Sequence, residues 1–119
     1  WISPFGQNIY LSLAWQSNLN FTDIEGLSLA IGVEIVNSLK SYTDEVIEIK
    51  WPNDLLINQK KLGGILIETS SGKDDCLEII IGIGVNIFMQ NKDTDEIDQE
   101  WTNLENCKNK ILDRNLISS

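Results

Sequence analysis

Lys50-Trp51-Pro52-Asn53-Asp54 follows directly on Val46-Ile47-Glu48-Ile49, and the reading of these nine residues decides the rest. β-Branched residues in alternation mark a half-buried strand. With a period of two, Ile47, Ile49 and Trp51 share one face, and Val46, Glu48 and Lys50 the other. Pro52 has no N–H to give a ladder, so pairing stops there. Lys50 is therefore expected at a strand end, with Trp51, Pro52, Asn53 and Asp54 forming the supporting turn. A lysine in this position has two readings. Its stem can snorkel over the strand while the ammonium pairs with Glu48 or Asp54. Alternatively it faces a pocket, where an anionic ligand must offset its desolvation.

Beyond the turn, Asp54-Leu55-Leu56-Ile57 and the run from Lys61 to Glu68 read as two strands joined through the polar Asn58-Gln59-Lys60. Gly63-Gly64 inside the second strand signals either a bulge or backbone closely approached by a ligand. Ser70 to Asp75 is a turn, and Cys76 to Val85 is an isoleucine-rich strand expected to be buried on both faces. It ends in Gly82-Ile83-Gly84-Val85-Asn86. Glycines at alternate positions leave a smooth face on which a flat ring can lie, and Asn86 can donate and accept hydrogen bonds. With no third glycine and no helix signal following, this is not a dinucleotide fingerprint.

Upstream, Leu27, Ala30, Ile31, Ile35 and Leu39 recur at three- and four-residue steps, which predicts a helix from Ile24 to about Tyr42, capped by Thr22 or Asp23. Gly32 within it would permit close packing on a sheet. Ile9 to Trp15 alternates as a strand. Trp1 to Asn8 reads as a loop, in which Trp1 is either an ordinary packed indole or a platform for a heteroaromatic ring. Past residue 90 an acidic stretch is expected to be a solvated loop. Thr102-Asn103-Leu104-Glu105 has capping-box spacing and predicts a helix over about 103–110, and Asp113 is placed to cap another.

Composition narrows the function classes. The 119 residues suit one domain or a piece of a larger one, and the absence of an initial Met is expected to reflect lost upstream chain. Eighteen acidic residues outweigh nine Lys and Arg, so neither nucleic acid nor an anionic membrane finds a basic footprint. With no histidine, Ser-His and Cys-His nucleophile pairs are excluded. Cys76 and Cys107, lacking CxxC spacing, read as thiols of a reducing compartment. The longest apolar run, Ile79 to Val85, is far short of the roughly 20 residues that span a bilayer.

The motifs in order are Trp1-x-Ser3-Pro4-x-Gly6-x-Asn8-x-Tyr10-x-Ser12, Leu27-Ser28-Leu29 with Gly32, Lys50-Trp51-Pro52-Asn53-Asp54-Leu55, Lys61-Leu62-x-Gly64-Ile65-Leu66-x-Glu68 and Gly82-x-Gly84-x-Asn86. Together they resemble the catalytic domain of biotin protein ligases, and Trp101-Thr102-x-Leu104 with Asp113-Arg114 is similar to the same family. The resemblance implies an α+β fold: a mixed, largely antiparallel sheet flanked by helices, as in class II aminoacyl-tRNA synthetases and lipoate ligases. It implies biotin and ATP, with Mg2+, as reactants, biotinyl-5'-AMP as intermediate, and a biotin carboxyl carrier protein domain as acceptor. By the same likeness Lys50 is the catalytic ammonium, Trp1 lies beside the adenine, Asn86 closes the nucleotide side, Gly64, Gly82 and Gly84 let backbone approach biotin or nucleotide, and Asp54 is a candidate magnesium contact. A cytoplasmic setting and a homodimer are compatible with it. The family's arginine- and glycine-rich loop, its earlier biotin-binding segment and its small C-terminal β-domain are not in residues 1–119, which predicts weak or no activity for this piece alone. A lipoate-type ligase and a non-catalytic binding or dimerisation module are the alternatives.

Overall fold

The computed structural model describes residues 5–73, 76–90 and 99–119. Trp1 and most of the acidic stretch after residue 90 lie outside them. Five strands, β1 (Ile9–Ser17), β2 (Ile47–Lys50), β3 (Asp54–Ile57), β4 (Lys60–Ser71) and β5 (Leu77–Val85), form one sheet in the order β1-β5-β4-β3-β2. Every ladder is antiparallel. Among the described residues the parallel pairing is an isolated bridge between Lys61 and Trp101.

The run from β2 to β5 is a meander of hairpins, whereas β1 sits at the far edge beside β5. The chain therefore crosses the sheet between β1 and β2, and helix α1 (Leu27–Leu39) makes that crossing against β2 and β4. Gly32 is where they meet: a methyl group there would lie 3.4 Å from Ile49 Cδ1 and 3.5 Å from Ile65 Cδ1. The helix is shorter than its periodicity predicts because Gly26, at φ 83°, breaks the path and leaves Phe21–Ile24 as a separate 3-10 turn.

The core lies between α1 and one sheet face. Leu39, Ile47, Leu55, Ile57, Leu62 and Val85 form its main cluster with Ile87, Leu104 and Leu112, and Leu77, Ile79 and Ile81 form a second beneath the start of α1. β5 is not buried on both sides as its composition suggested. Its odd-numbered residues enter the core while Ile80 stays 49% exposed, because among the described residues no layer covers the other face. Trp51 also departs from expectation. It is 81% exposed, since β2 ends at Lys50 and the alternation does not extend into the turn.

The β3–β4 connection is a two-residue hairpin, with Asn58 and Gln59 both at positive φ (50° and 64°), as a type I′ turn requires. The helix predicted over 103–110 is instead a 3-10 turn, Glu105–Cys107. The N–H groups of Leu104 and Glu105 go to the carbonyls of Asn86 and Ile87 (2.9 and 3.0 Å), so pairing with the segment after β5 consumes the donors that a helix start presents. Helix α2 (Arg114–Ser118) opens as predicted, with Asp113 Oδ1 accepting from Asn115 N at 2.9 Å. Cys76 and Cys107 are free thiols. Among the described residues no helix is long and apolar enough to cross a membrane.

Candidate functional site

One register row crosses the whole sheet. Lys50 pairs with Asp54, Asp54 with Gly64, Gly64 with Gly84 and Gly84 with Tyr10. Paired residues of an antiparallel ladder project to the same side, so this row belongs to the face away from α1. The neighbouring row holds Leu66, Gly82 and Ser12. Three glycines in two adjacent rows strip the centre of side chains and leave a trough. The resulting cleft is about 350 Å3, with Tyr10, Ser12, Asn53, Asp54, Lys61 and Leu66 around Gly64, Gly82 and Gly84.

Lys61 enters the cleft because β4 is bulged. Leu55 pairs with Gly63 but Leu56 pairs with Lys61, which leaves Leu62 as the extra residue. An extra residue reverses the facing of everything before it. Leu62 is thereby fully buried in the core, and Lys61 emerges on the trough side, where its Nζ meets Asp54 Oδ1 at 2.7 Å. Its main chain is held as well: Lys61 N donates to Glu100 O (3.0 Å) and Thr102 N donates to Lys61 O (2.9 Å).

The glycines are not equivalent. A Cβ at Gly63 would fall onto the Gly84 carbonyl oxygen, so its absence is needed for the two strands to approach. At Gly82 a Cβ would find Leu66 Cβ at 3.7 Å, an ordinary contact. Packing does not demand glycine there, and the space it leaves belongs to the cleft.

The sequence-predicted residues distribute as follows. Asn53, Asp54, Gly64, Gly82 and Gly84 line the cleft. Lys50 is at the predicted strand end and in the predicted row, but it stands on the sheet's edge strand, exposed and outside the cleft lining. Among the described residues the ammonium in the cleft is that of Lys61. Trp51 and Pro52 shape the turn without lining the cleft, and the Pro52 carbonyl accepts from the Ser28 hydroxyl at 2.9 Å. Asn86 is 4% exposed and spends its Nδ2 on Thr102 O (3.1 Å) and Lys61 O (3.4 Å), so it works behind the cleft wall. Trp1 is outside the described residues. Sequence reasoning gave no role to Lys61, Tyr10 or Ser12. Their signal was present in the motifs Lys61-Leu62-x-Gly64 and Tyr10-x-Ser12.

Asp54 is the one carboxylate lining the cleft among the described residues, and it already faces Lys61. No three His, Cys, Asp or Glu side chains gather among the described residues to form a metal cage. This donor set fits a magnesium ion carried on a nucleotide's phosphates, which takes one or two protein carboxylates, rather than a dedicated protein site.

A larger groove, about 710 Å3, lies on the opposite face between α1 and β1. Its walls include Ile9, Leu11, Val33 and Ile35, and among the described residues Glu34 is the one charged side chain lining it. Leu11, Leu13 and Trp15 of β1 are 51%, 55% and 44% exposed on that side. It offers an anion nothing, so the smaller cleft is the candidate site.

The sequence profile of the biotin/lipoate A/B protein ligase family matches residues 1–86, well over half of the chain. The chain belongs to that family. A curated relative, the bifunctional ligase/repressor BirA of Salmonella typhimurium, is 38% identical over 119 residues, all of this chain and 37% of that protein. The apo structure of biotin protein ligase from Aquifex aeolicus superposes with a TM-score of 0.72 at 30% identity, over 94% of this chain and 48% of that one. The same ligase in complex with biotin and ATP gives 0.71 at 31% identity, over 94% and 45%. The family match thus covers the whole sheet, while the chain spans little more than a third of the length of the BirA relative.

Proposed function

We propose that the protein containing this chain activates biotin with ATP to biotinyl-5'-AMP and transfers the biotinyl group to a lysine of a biotin carboxyl carrier protein domain. The observation that carries the reading is the ammonium of Lys61, mounted beside a glycine-floored trough in a member of the biotin/lipoate ligase family. Of the family's two acids, biotin is favoured by the relatives, which are biotin protein ligases.

In the first step the biotin carboxylate oxygen attacks the α-phosphorus of ATP, an O–P bond forms, and pyrophosphate leaves. Two anions must converge, and negative charge accumulates between them. An ammonium fixed beforehand lowers the repulsion and is worth most where charge develops. We assign this role to Lys61 on its place in the cleft lining; Lys50, for which the family resemblance implies it, stands in the same register row on the edge strand. Asp54, the ion-pair partner of Lys61, keeps the ammonium aimed at the trough before ligand arrives. Gly64, Gly82 and Gly84 let flat parts of the ligand lie on backbone, and magnesium on the nucleotide supplies further neutralisation of the phosphates. In the second step the carrier's lysine amine attacks the carbonyl of the mixed anhydride, an amide bond forms, and AMP leaves. No residue of this chain becomes covalently modified.

The test is pyrophosphate release by the full-length protein. Release that requires biotin, followed by a biotin-sized mass increase of a carrier domain, is the expected result. Release driven equally by lipoate, or none with either acid, would overturn the reading. Residues 1–119 alone are expected to be weakly active or inactive, because the chain spans so little of its relatives.

A further inference from the structure

Immediately before β1, Asn8 is 4% exposed and sits behind Tyr10. Its Oδ1 accepts from Ile87 N at 3.0 Å, and this bond fixes which way the carboxamide points. The nitrogen then faces the other side, where its two hydrogens are shared among Tyr10 Oη (2.9 Å), Met89 Sδ (3.4 Å) and Asn86 Oδ1 (3.5 Å). Asn86 in turn donates to Lys61 O. A connected path thus runs Tyr10–Asn8–Asn86–Lys61, from β1 to β4, past the end of β5. From α2, Arg114 Nη1 donates to the Asn8 carbonyl at 3.1 Å and anchors the same residue from outside the sheet.

Asn8 spends its shortest bond on the hydroxyl of a side chain that lines the cleft. We infer that Asn8, bridged to the Lys61 carbonyl by Asn86, is a positioning residue: it sets the Tyr10 hydroxyl relative to the strand that carries the Lys61 ammonium, so that hydroxyl and ammonium meet one ligand. Buried carboxamides whose polar atoms are all engaged are stiff spacers, since loosening one bond orphans another group. The inference rests on the proposed function for the identity of that ligand.

Biotin-dependent pyrophosphate release by the full-length protein tests it through Asn8→Ser, Tyr10→Phe and the double variant. Each single substitution is expected to raise KM for biotin about five- to tenfold with a smaller change in kcat. The double variant is expected to be no worse than Asn8→Ser alone, because the Tyr10 hydroxyl acts only where Asn8 holds it. A double effect equal to the product of the singles, or an Asn8→Ser variant altered in thermal stability only, would overturn the inference. If Asn8→Ser does not fold, exchange of the Asn8 side-chain amide protons in the unsubstituted protein decides instead. Saturating biotin should slow it several-fold, and an unchanged rate would refute the positioning role. A wild-type protein without biotin-dependent release fails the proposed function itself, a result that none of the variants can mimic.

Discussion

Lys61 and Asp54 share one face of the sheet only because Leu62 is an extra residue between them in register, and their charged ends meet at 2.7 Å. The bulge converts a position that would face the core into the cationic element of the cleft. Lys50, one strand further out and exposed, offers a comparison within the same chain. In the full-length protein, Lys61→Ala should lower biotin-dependent pyrophosphate release about 10²–10³-fold, the range found when a transition-state donor is removed. Lys50→Ala should stay within a few-fold of wild type. The reverse ranking would return the role to Lys50.

Asp54→Asn keeps shape and removes charge. Both partners of the ion pair are partly exposed, 24% and 21% by side chain, so the loss of stability should be no more than about 1 kcal/mol. The reaction should suffer more than the fold, through a Lys61 no longer held over the trough. Chemical denaturation and initial rates on the same preparation separate the two quantities. A loss of stability beyond about 2 kcal/mol would mean that the pair is mainly a structural device.

Gly82→Ala and Gly63→Ala make opposite predictions. The first places a methyl at ordinary contact distance from Leu66, so melting temperature should hold while KM for biotin or ATP rises. The second drives a methyl into the Gly84 carbonyl, and strain of this kind costs about 1–3 kcal/mol. Thermal unfolding with and without ligand reads both. Equal destabilisation by the two would remove the distinction.

Gln59 occupies φ 64° in the hairpin turn, a conformation that costs an L-residue about 1 kcal/mol and glycine almost nothing. Gln59→Gly should therefore raise the melting temperature by a few degrees, leaving the rate of pyrophosphate release unchanged. A lowered melting temperature would show that the Gln59 Nε2 contact with Glu48 Oε2, at 3.1 Å, outweighs the backbone strain.

Much of this was legible in the sequence because alternation is a local property. β2, β3 and the hairpin follow from a few adjacent residues, Gly32 marked where helix and sheet come close, and Gly64, Gly82 and Gly84 marked the floor of the cleft. What could not be read depends on parity or on distant partners. One bulge at Leu62 switches the face of Lys61, and no propensity fixes on which strand, or at which residue, the extra position falls. Trp51 was carried onto the core face by an alternation that had already ended at Lys50. Asn86 resembles a ligand-facing residue until its neighbour Asn8, 78 positions away, is brought against it. The predicted helix after Thr102 obeyed a local capping rule that pairing with Asn86 and Ile87 overrode.

The uncovered side of β1 bears on how these 119 residues behave in a tube. Leu11, Leu13 and Trp15 lie open on a nine-residue edge strand whose outer hydrogen-bonding groups have no ladder partner among the described residues, a surface prone to stick to its own kind. A net charge of −9 opposes such encounters, yet its reach shrinks from about 30 Å at 0.01 M ionic strength to about 8 Å at 0.15 M. Preparations of the isolated stretch will stay clear in dilute buffer and turn cloudy as sodium chloride is added, the opposite of what a salting-in protein does.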